Sequence, residues 1–313
     1  LNAYEELGLL FASAIDFVEE GKRRGRVPLD RFVRRFSFNT AAHNDFFEEI
    51  AKLRAARRIW YKIVTDRYGV QDPSCAKFRV HVQSSGSTHT AQEPYNNLVR
   101  IAYQTLAAVL GGAQSIHANG YDEAVCLPSD QSMLLAIRTE QIAALETNVT
   151  NTIDPLGGSY YLESLTNVLE ERTWDYIKMI EDMGGLAQAM QDGWYHRLLR
   201  EKPIERQKKV DSGEIPIVGV NTFRSEKEPY KVPIFKPDPA ASQKIQTDKL
   251  KKFREKRDKA KHAEAMKRLV DACNSDENTY PYVFEAIKVG ATFGEVMKAQ
   301  VDAYGEWPYP IGI

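Results

Sequence analysis

The chain has 313 residues, 43% hydrophobic and 27% charged, which is enough apolar material for a real core and excludes a disordered or low-complexity chain. Forty-two Lys and Arg against 43 Asp and Glu leave a net charge of -1, which argues against a general nucleic-acid binder. No apolar run approaches the ~20 residues that a membrane span needs. The cysteines, Cys75, Cys126 and Cys273, lie far apart with no CxxC pair, as in a reduced cytoplasmic protein without a disulfide frame or zinc site.

The length predicts about two domains. The sequence opens at Leu1, directly in a helical pattern over 1–23 (Leu7, Leu10, Phe11, Ala14, Ile15, Val18) that stops near Gly25, so it reads as a piece of something longer. Residues 34–39 are expected as a short strand, and 44–68 as a helix in which Phe46, Phe47, Ile50, Leu53, Ala56, Ile59 and Trp60 recur at helical spacing. Residues 78–84 alternate with a period of two, a strand signature. A helix over 94–110 follows, with Pro94 near its start and Gly111-Gly112 as its stop, then a third strand over 113–118. A helix over 129–147 has Ser129 as its N-cap. Strands separated by crossover helices imply parallel β/α units. Three strands cannot close a barrel of eight, so either the sheet is small and open or the missing strands lie elsewhere.

Beyond 150 the pattern changes. A glycine-rich turn, Asp154-Pro155-Leu156-Gly157-Gly158-Ser159-Tyr160, leads into a helix to about 182, then Gly184-Gly185 and a helix to about 200. The prolines between 203 and 247 predict an extended segment over a surface. Residues 243–273 and 281–304 read as helices. The first domain is therefore expected at 1–150 and a helical and extended subunit-contact region at 151–313. Gly111-Gly112 lacks the GxGxxG and GxxxxGK[ST] patterns and reads as a helix stop. The Lys- and Arg-rich run over 249–261 is interleaved with Asp248, Glu255 and Asp258, as on a solvated helix face.

Arg79, His81 and Gln83 stand at i, i+2 and i+4 of one predicted strand and so share a face. Buried strands rarely place such residues together, and their desolvation points to a ligand rather than to a structural network. Gln114, Ser115, His117 and Asn119 repeat the theme, and beside Gln83 the pair Asn119 and Glu123 can form a polar rim for sugar hydroxyls.

Several long strings are specific. They are residues 43–60 (HNDFFEEIAKLRAARRIW), Gln83-Ser84-Ser85-Gly86, Thr90 to Asn97 (TAQEPYNN), Ala107 to Glu123 (AAVLGGAQSIHANGYDE), 154–160 (DPLGGSY), and the stretch from Asp211-Ser212-Gly213 to Val218-Gly219-Val220-Asn221. On these strings the chain resembles, over essentially its whole length, the C-terminal part of the large, substrate-binding subunit of adenosylcobalamin-dependent acyl-CoA mutases, the methylmalonyl-CoA, isobutyryl-CoA and 2-hydroxyisobutyryl-CoA mutases. The resemblance implies an α/β fold: the last three β/α units of a (β/α)₈ TIM barrel followed by a mainly helical region. It also implies a radical carbon-skeleton isomerisation of an acyl-CoA thioester with adenosylcobalamin. By that resemblance Arg35, Ser37, Arg79, His81, Gln114 and Ser115 contact coenzyme A, while Gln83, Asn119 and Glu123 face the adenosyl group and corrin, Glu123 accepting from a ribose hydroxyl.

Departures from the family pattern shape the expectation. The cobalamin-binding DxHxxG motif is absent, which implies a small cobalamin-binding subunit and a hetero-oligomer. The thioester-binding His and carboxylate-binding Arg of the family are expected upstream of Leu1, on an N-terminal half-barrel chain or segment. Asn39, followed by Thr40, stands where the family has Phe, and His89 where Leu is common. These pocket-shaping residues point to an acyl group other than methylmalonyl, larger or hydroxylated. The competing expectations are a non-catalytic CoA-binding or assembly module and an unrelated barrel hydrolase or lyase. The lack of a metal cluster or nucleophile–base pair argues against the last.

Overall fold

The structure is a computed structural model that describes residues 1–227 and 230–306. It divides into two compact units, the first running from Leu1 to Phe235 and the second beginning at Lys236.

The first unit opens with α1 (Ala3–Arg24). A capping box formed by Asn2 and Glu5 starts it, and Gly25, at φ 60, ends it in the left-handed conformation that a Cβ disfavours. A short α2 (Leu29–Val33) leads to β1 (Phe38–Ala42). Asp45 caps α3 (Phe46–Lys62), its carboxylate accepting from the Glu48 amide at 3.2 Å, and α3 runs on into a π-helical turn, Ile63–Arg67. Then come β2 (Val80–Ser84), α4 (Asn96–Leu110), β3 (Ser115–His117) and α5 (Asp130–Leu145). The three strands form one parallel sheet in the order β1-β2-β3, with Asn39 beside His81 and His81 beside Ser115, and with Ala41 beside Gln83 and Gln83 beside His117. Parallel pairing follows from the crossovers through α3 and α4.

Strand alternation decides which face is buried. Phe38, Thr40 and Ala42 of β1 and Val80, Val82 and Ser84 of β2 turn to the helices and are buried. There Phe38 lies 4.6 Å from Phe78 and 4.9 Å from Trp60 between ring centroids, and Phe11 of α1 joins them. The Trp60 indole donates to the Cys75 carbonyl at 3.1 Å, so its polar edge is satisfied inside this core. Gly111 ends α4 where a Cβ would come within 2.6 Å of Leu53, so the glycine stop also lets α4 approach α3 closely.

After the Asp154–Tyr160 turn, α6 (Tyr160–Asp182) packs on α1 and α3. The buried Arg54 holds the turn through Asp154 and also binds Glu163, while Lys62 binds Glu170 at 2.6 Å. This is why the boundary expected at 150 does not coincide with the edge of the compact unit: α6, α7 (Leu186–Gln191) and α8 (Trp194–Asp211) complete the first unit. Pro203 lies inside α8, so much of the segment expected to be extended from 203 is helical. A strap over 212–227 follows; Ser225 donates to Glu93 at 2.7 Å, and Arg100 donates to the Val218 carbonyl at 2.8 Å.

The second unit holds α9 (Pro239–Lys256), α10 (Lys259–Cys273), α11 (Tyr280–Lys288) and α12 (Phe293–Tyr304). Asp258 caps α10 and so breaks the charged helix expected over 243–273. Leu269, Cys273, Ala286 and Val296 form its small core, and Arg257 binds Glu295 at 2.8 Å.

Ser129 does cap α5, accepting from the Ser132 amide at 3.2 Å. Ser129→Ala will lower the unfolding free energy by about 1 kcal/mol, the usual worth of such a cap. Urea denaturation of the two proteins side by side measures it, and an unchanged midpoint would show that the cap contributes nothing.

Candidate functional site

The sheet face turned away from the helices carries Asn39 and Ala41 from β1, Arg79, His81 and Gln83 from and just before β2, and Ser115 and His117 from β3. Arg79, His81 and Gln83 thus share one face, as their spacing predicts. The pairing register arranges the three strands' side chains in rungs. Asn39, His81 and Ser115 make the lower rung, where the His81 Nδ1 and the Ser115 hydroxyl are 2.8 Å apart. Ala41, Gln83 and His117 make the upper rung, toward the C-terminal ends of the strands.

Below the lower rung, the Arg79 guanidinium donates to the carbonyls of Arg34 and Phe36, the latter at 2.9 Å. Arg35 and Ser37 do not lie on β1, contrary to the expected strand over 34–39. The end of α2 uses this segment as a turn, with the Arg35 amide donating to Phe32 and the Phe36 amide to Val33, so pairing begins only at Phe38. Both residues are exposed at the N-terminal end of the sheet, on the segment that Arg79 holds.

Gln114 precedes β3 and is spent on main chain. Its Oε1 accepts from the Val80 amide at 2.6 Å and its Nε2 donates to the Gly112 carbonyl at 2.8 Å. It extends the sheet in this way while its side chain stays exposed. Thr40 is also displaced from its expected place. Strand alternation buries it on the helix side, where its hydroxyl donates to Glu6, so of the pair only Asn39 is on the open face. His89, past the 3₁₀ turn Gly86–Thr88, is buried with neither ring nitrogen hydrogen-bonded. Burial pushes its pKa down to about 4, and the Arg100 charge adds to the shift.

Above the upper rung the strand ends gather a rim. Gln83 Nε2 donates to Asn119 Oδ1 at 2.9 Å, and the buried Asn119 in turn donates from Nδ2 to the Ser84 carbonyl at 2.8 Å and from its amide to the Ser84 hydroxyl at 2.9 Å. The exposed Glu123 stands beside it. A Cβ on Gly86 would meet Asn119 Nδ2 at 3.8 Å and Glu123 Oε1 at 3.9 Å, so the glycine leaves a shallow cradle between them. A carboxylate and an exposed glycine backbone suit the hydroxyls and flat base of a nucleoside, so these residues fit the group the sequence implies for them.

One cluster escaped the sequence reading. At the C-terminal end of β1 the buried Lys52 donates to Glu6 at 2.8 Å and to the Ala41 carbonyl at 2.6 Å, and it binds Glu49 at 2.6 Å. The Ala41 amide, on the outer edge of β1, is taken by Glu6 at 3.1 Å. The signal available in the sequence was Lys52 set between Ala51 and Leu53, next to the helix positions Ile50, Leu53 and Ala56 that read as core. A cavity of about 550 Å³ bordered by Phe46, Val99, Arg100, Tyr103 and Val218 contains none of the open-face residues.

The model of the family described as methylmalonyl-CoA mutase matches residues 1–306. The chain belongs to the methylmalonyl-CoA mutase family. Among its relatives, the methylmalonyl-CoA mutase of Rhizobium meliloti is 40% identical over 97% of this chain and 42% of its own length. The large subunit of 2-hydroxyisobutanoyl-CoA mutase from Aquincola tertiaricarbonis is 36% identical over 97% of this chain and 54% of its own length. The methylmalonyl-CoA mutase of Escherichia coli is 35% identical over 99% of this chain and 43% of its own. The chain therefore spans about half the length, or less, of these members of the methylmalonyl-CoA mutase family. Its three-stranded parallel sheet is the mixed α/β architecture expected from the sequence. Among the described residues no helix is long and apolar enough to cross a membrane.

Proposed function

We propose that this chain is the C-terminal part of the large subunit of an adenosylcobalamin-dependent acyl-CoA mutase, an isomerase of the cytoplasm that rearranges the carbon skeleton of an acyl-CoA thioester. The observation that carries the reading is the unbroken polar path on the open face, from Arg79 through the two rungs to the Gly86–Asn119–Glu123 rim. In this reading the three strands are the last of a (β/α)₈ barrel, an N-terminal half-barrel supplies the others, and a small cobalamin-binding subunit completes a hetero-oligomer. Closing the barrel turns the open face into a tunnel wall.

The chain's own residues then have separate tasks. Arg35 and Arg79 present cations at the N-terminal mouth, where coenzyme A carries its phosphates, with Ser37 beside them. His81 and Ser115, already hydrogen-bonded to each other, offer a donor and an acceptor to the pantetheine amides. Gln83 is oriented by Asn119, and Glu123 accepts from a ribose hydroxyl of the adenosyl group. When bound, adenosylcobalamin supplies the carbon-centred radical that the rearrangement needs. The protein's part is to bind, orient and exclude water. Asn39, where the family has an aromatic ring, widens the wall at the lower rung, beside the pantetheine amides.

Glu123→Ala in the intact assembly is expected to weaken adenosylcobalamin binding about tenfold, the worth of one charge-assisted hydrogen bond, with acyl-CoA affinity unchanged. Titration of each ligand separately gives the answer, and equal loss of both contradicts the role. If the purified assembly binds coenzyme A but contains no cobalamin-binding partner and isomerises no acyl-CoA, the chain is a non-catalytic CoA-binding module instead.

A further inference from the structure

His117 is the one polar side chain on the two rungs that the proposed roles leave unused. Successive rungs on one face are separated by two residues, about 7 Å along the strands. The upper rung adjoins the rim directly, because Gln83 on that rung is hydrogen-bonded to Asn119 in the rim. In a mutase of the kind proposed, the reacting carbon lies just below the rim. The thioester carbonyl is bonded to that carbon or to its neighbour, so it falls at the level of the upper rung.

A carbonyl oxygen at that level needs hydrogen-bond donors. Ala41 offers none from its side chain. Gln83 commits one N–H of its amide to Asn119 at 2.9 Å, which holds that amide toward the rim. His117 is half-buried, faces the same side as Gln83 through the β2–β3 register, and its ring makes no hydrogen bond or ion pair with a described residue. By contrast His81, one rung lower, is paired to Ser115 at 2.8 Å. Once a tunnel encloses the face, an unpartnered imidazole N–H costs free energy unless a ligand accepts from it.

We propose that His117 donates a hydrogen bond to the thioester carbonyl of the bound acyl-CoA, as a second donor beside the His expected upstream of Leu1. The assignment rests on the mutase reading and deepens it. Two donors on one oxygen stabilise the negative charge that gathers there when the carbonyl-bearing group migrates, as preorganised donors do for other acyl oxygens. His117 is in this sense a substrate-contacting residue that acts by hydrogen bonding alone; no proton is transferred.

The test compares two probes that differ only in the carbonyl oxygen, acetyl-CoA and its thioether counterpart S-ethyl-CoA, bound by calorimetric titration to the intact assembly. His117→Ala is expected to weaken acetyl-CoA about tenfold and to leave S-ethyl-CoA within about twofold, the worth of one hydrogen bond. His117→Phe keeps the ring volume without the donor and gives the same comparison if the alanine variant does not fold. His117→Asn keeps an N–H and is expected to recover part of the preference. Equal weakening of both probes, or of neither, overturns the proposal for His117 while leaving the mutase reading intact. A wild-type assembly that binds neither probe overturns the mutase reading itself.

Discussion

Lys52→Met is expected to lower the unfolding free energy by about 3–5 kcal/mol, the usual cost of stranding a buried charge by removing its partner. Lys52 is 1% exposed and makes three contacts, to Glu6, to Glu49 and to the Ala41 carbonyl. Burial alone would push its pKa down, but the two carboxylates outweigh that and hold it above the ordinary lysine value. One cation serves two acids, and the acids divide accordingly. Burial pushes Glu6 up, but Lys52, Thr40 and the Ala41 amide outweigh it and leave Glu6 below its ordinary value. Glu49 is pushed up to about 7 by burial, which Lys52 offsets only in part. Methionine fills the space of the lysine stem but takes the ammonium from the Ala41 carbonyl and from Glu6, which keeps Thr40 and the Ala41 amide. Lys52→Met combined with Glu6→Gln is expected to recover part of the loss, since neighbouring groups do not add independently.

The same cluster sets a pH dependence of known sign. Glu49 has a folded pKa above its unfolded one, so its protonated form stabilises the native state fully below about 4.5, and this contribution is lost as pH rises through about 7. Glu6, with a lowered folded pKa, contributes above its unfolded pKa and loses that contribution as pH falls. Glu49→Gln is therefore expected to flatten the fall in stability between about pH 4.5 and 7 and to change little at the acid end of that window. Urea unfolding at several pH values reads both effects; a profile identical to wild type would mean that Glu49 does not titrate there.

The sequence made the helical framework and the β2 face legible for a single reason: both are periodic. Arg79, His81 and Gln83 share a face in any register of a strand, because alternation is a local property. Asn39 and Thr40 were different. Their facing depends on strand parity, and reading them together as pocket-shaping ignored that adjacent strand residues turn opposite ways. Phe36-Ser37-Phe38-Asn39 alternates as a strand would, but the segment follows a short helix whose last carbonyls capture the amides of Arg34, Arg35 and Phe36. Tertiary packing decided the other differences. Pro203 is accommodated within α8 although proline removes a helical donor. The role of Gln114 as a sheet extender follows from a main-chain partner 34 residues away, which no local pattern reports. The pairing of Lys52 with Glu6 is equally remote, joining α3 to α1. Long-range polar partners are the part of a site that spacing conceals.

Asn119→Ala is expected to cost about 2–3 kcal/mol of stability, because it leaves buried groups without hydrogen bonds. Asn119 is 1% exposed, and its side chain ties the loop after β3 to β2 at two points: Oδ1 accepts from Gln83, and Nδ2 donates to the Ser84 carbonyl. Its amide bond to the Ser84 hydroxyl survives the substitution, so the loop after β3 stays tethered and the loss is partial. Asn119→Asp replaces the donor to the Ser84 carbonyl with a second acceptor and is expected to be worse than alanine at neutral pH. The coupling between Gln83 and Asn119, taken from a double-mutant cycle with Gln83→Ala, is expected near 1 kcal/mol, as for residues that share a hydrogen bond. The functional consequence separates from the structural one. If Asn119 orients Gln83 toward the rim, then Asn119→Ala and Gln83→Ala will weaken adenosylcobalamin binding by the same factor, and the double variant will lose no more than either alone. Additive losses would show that the two residues act on the ligand independently and that their hydrogen bond only stabilises the sheet.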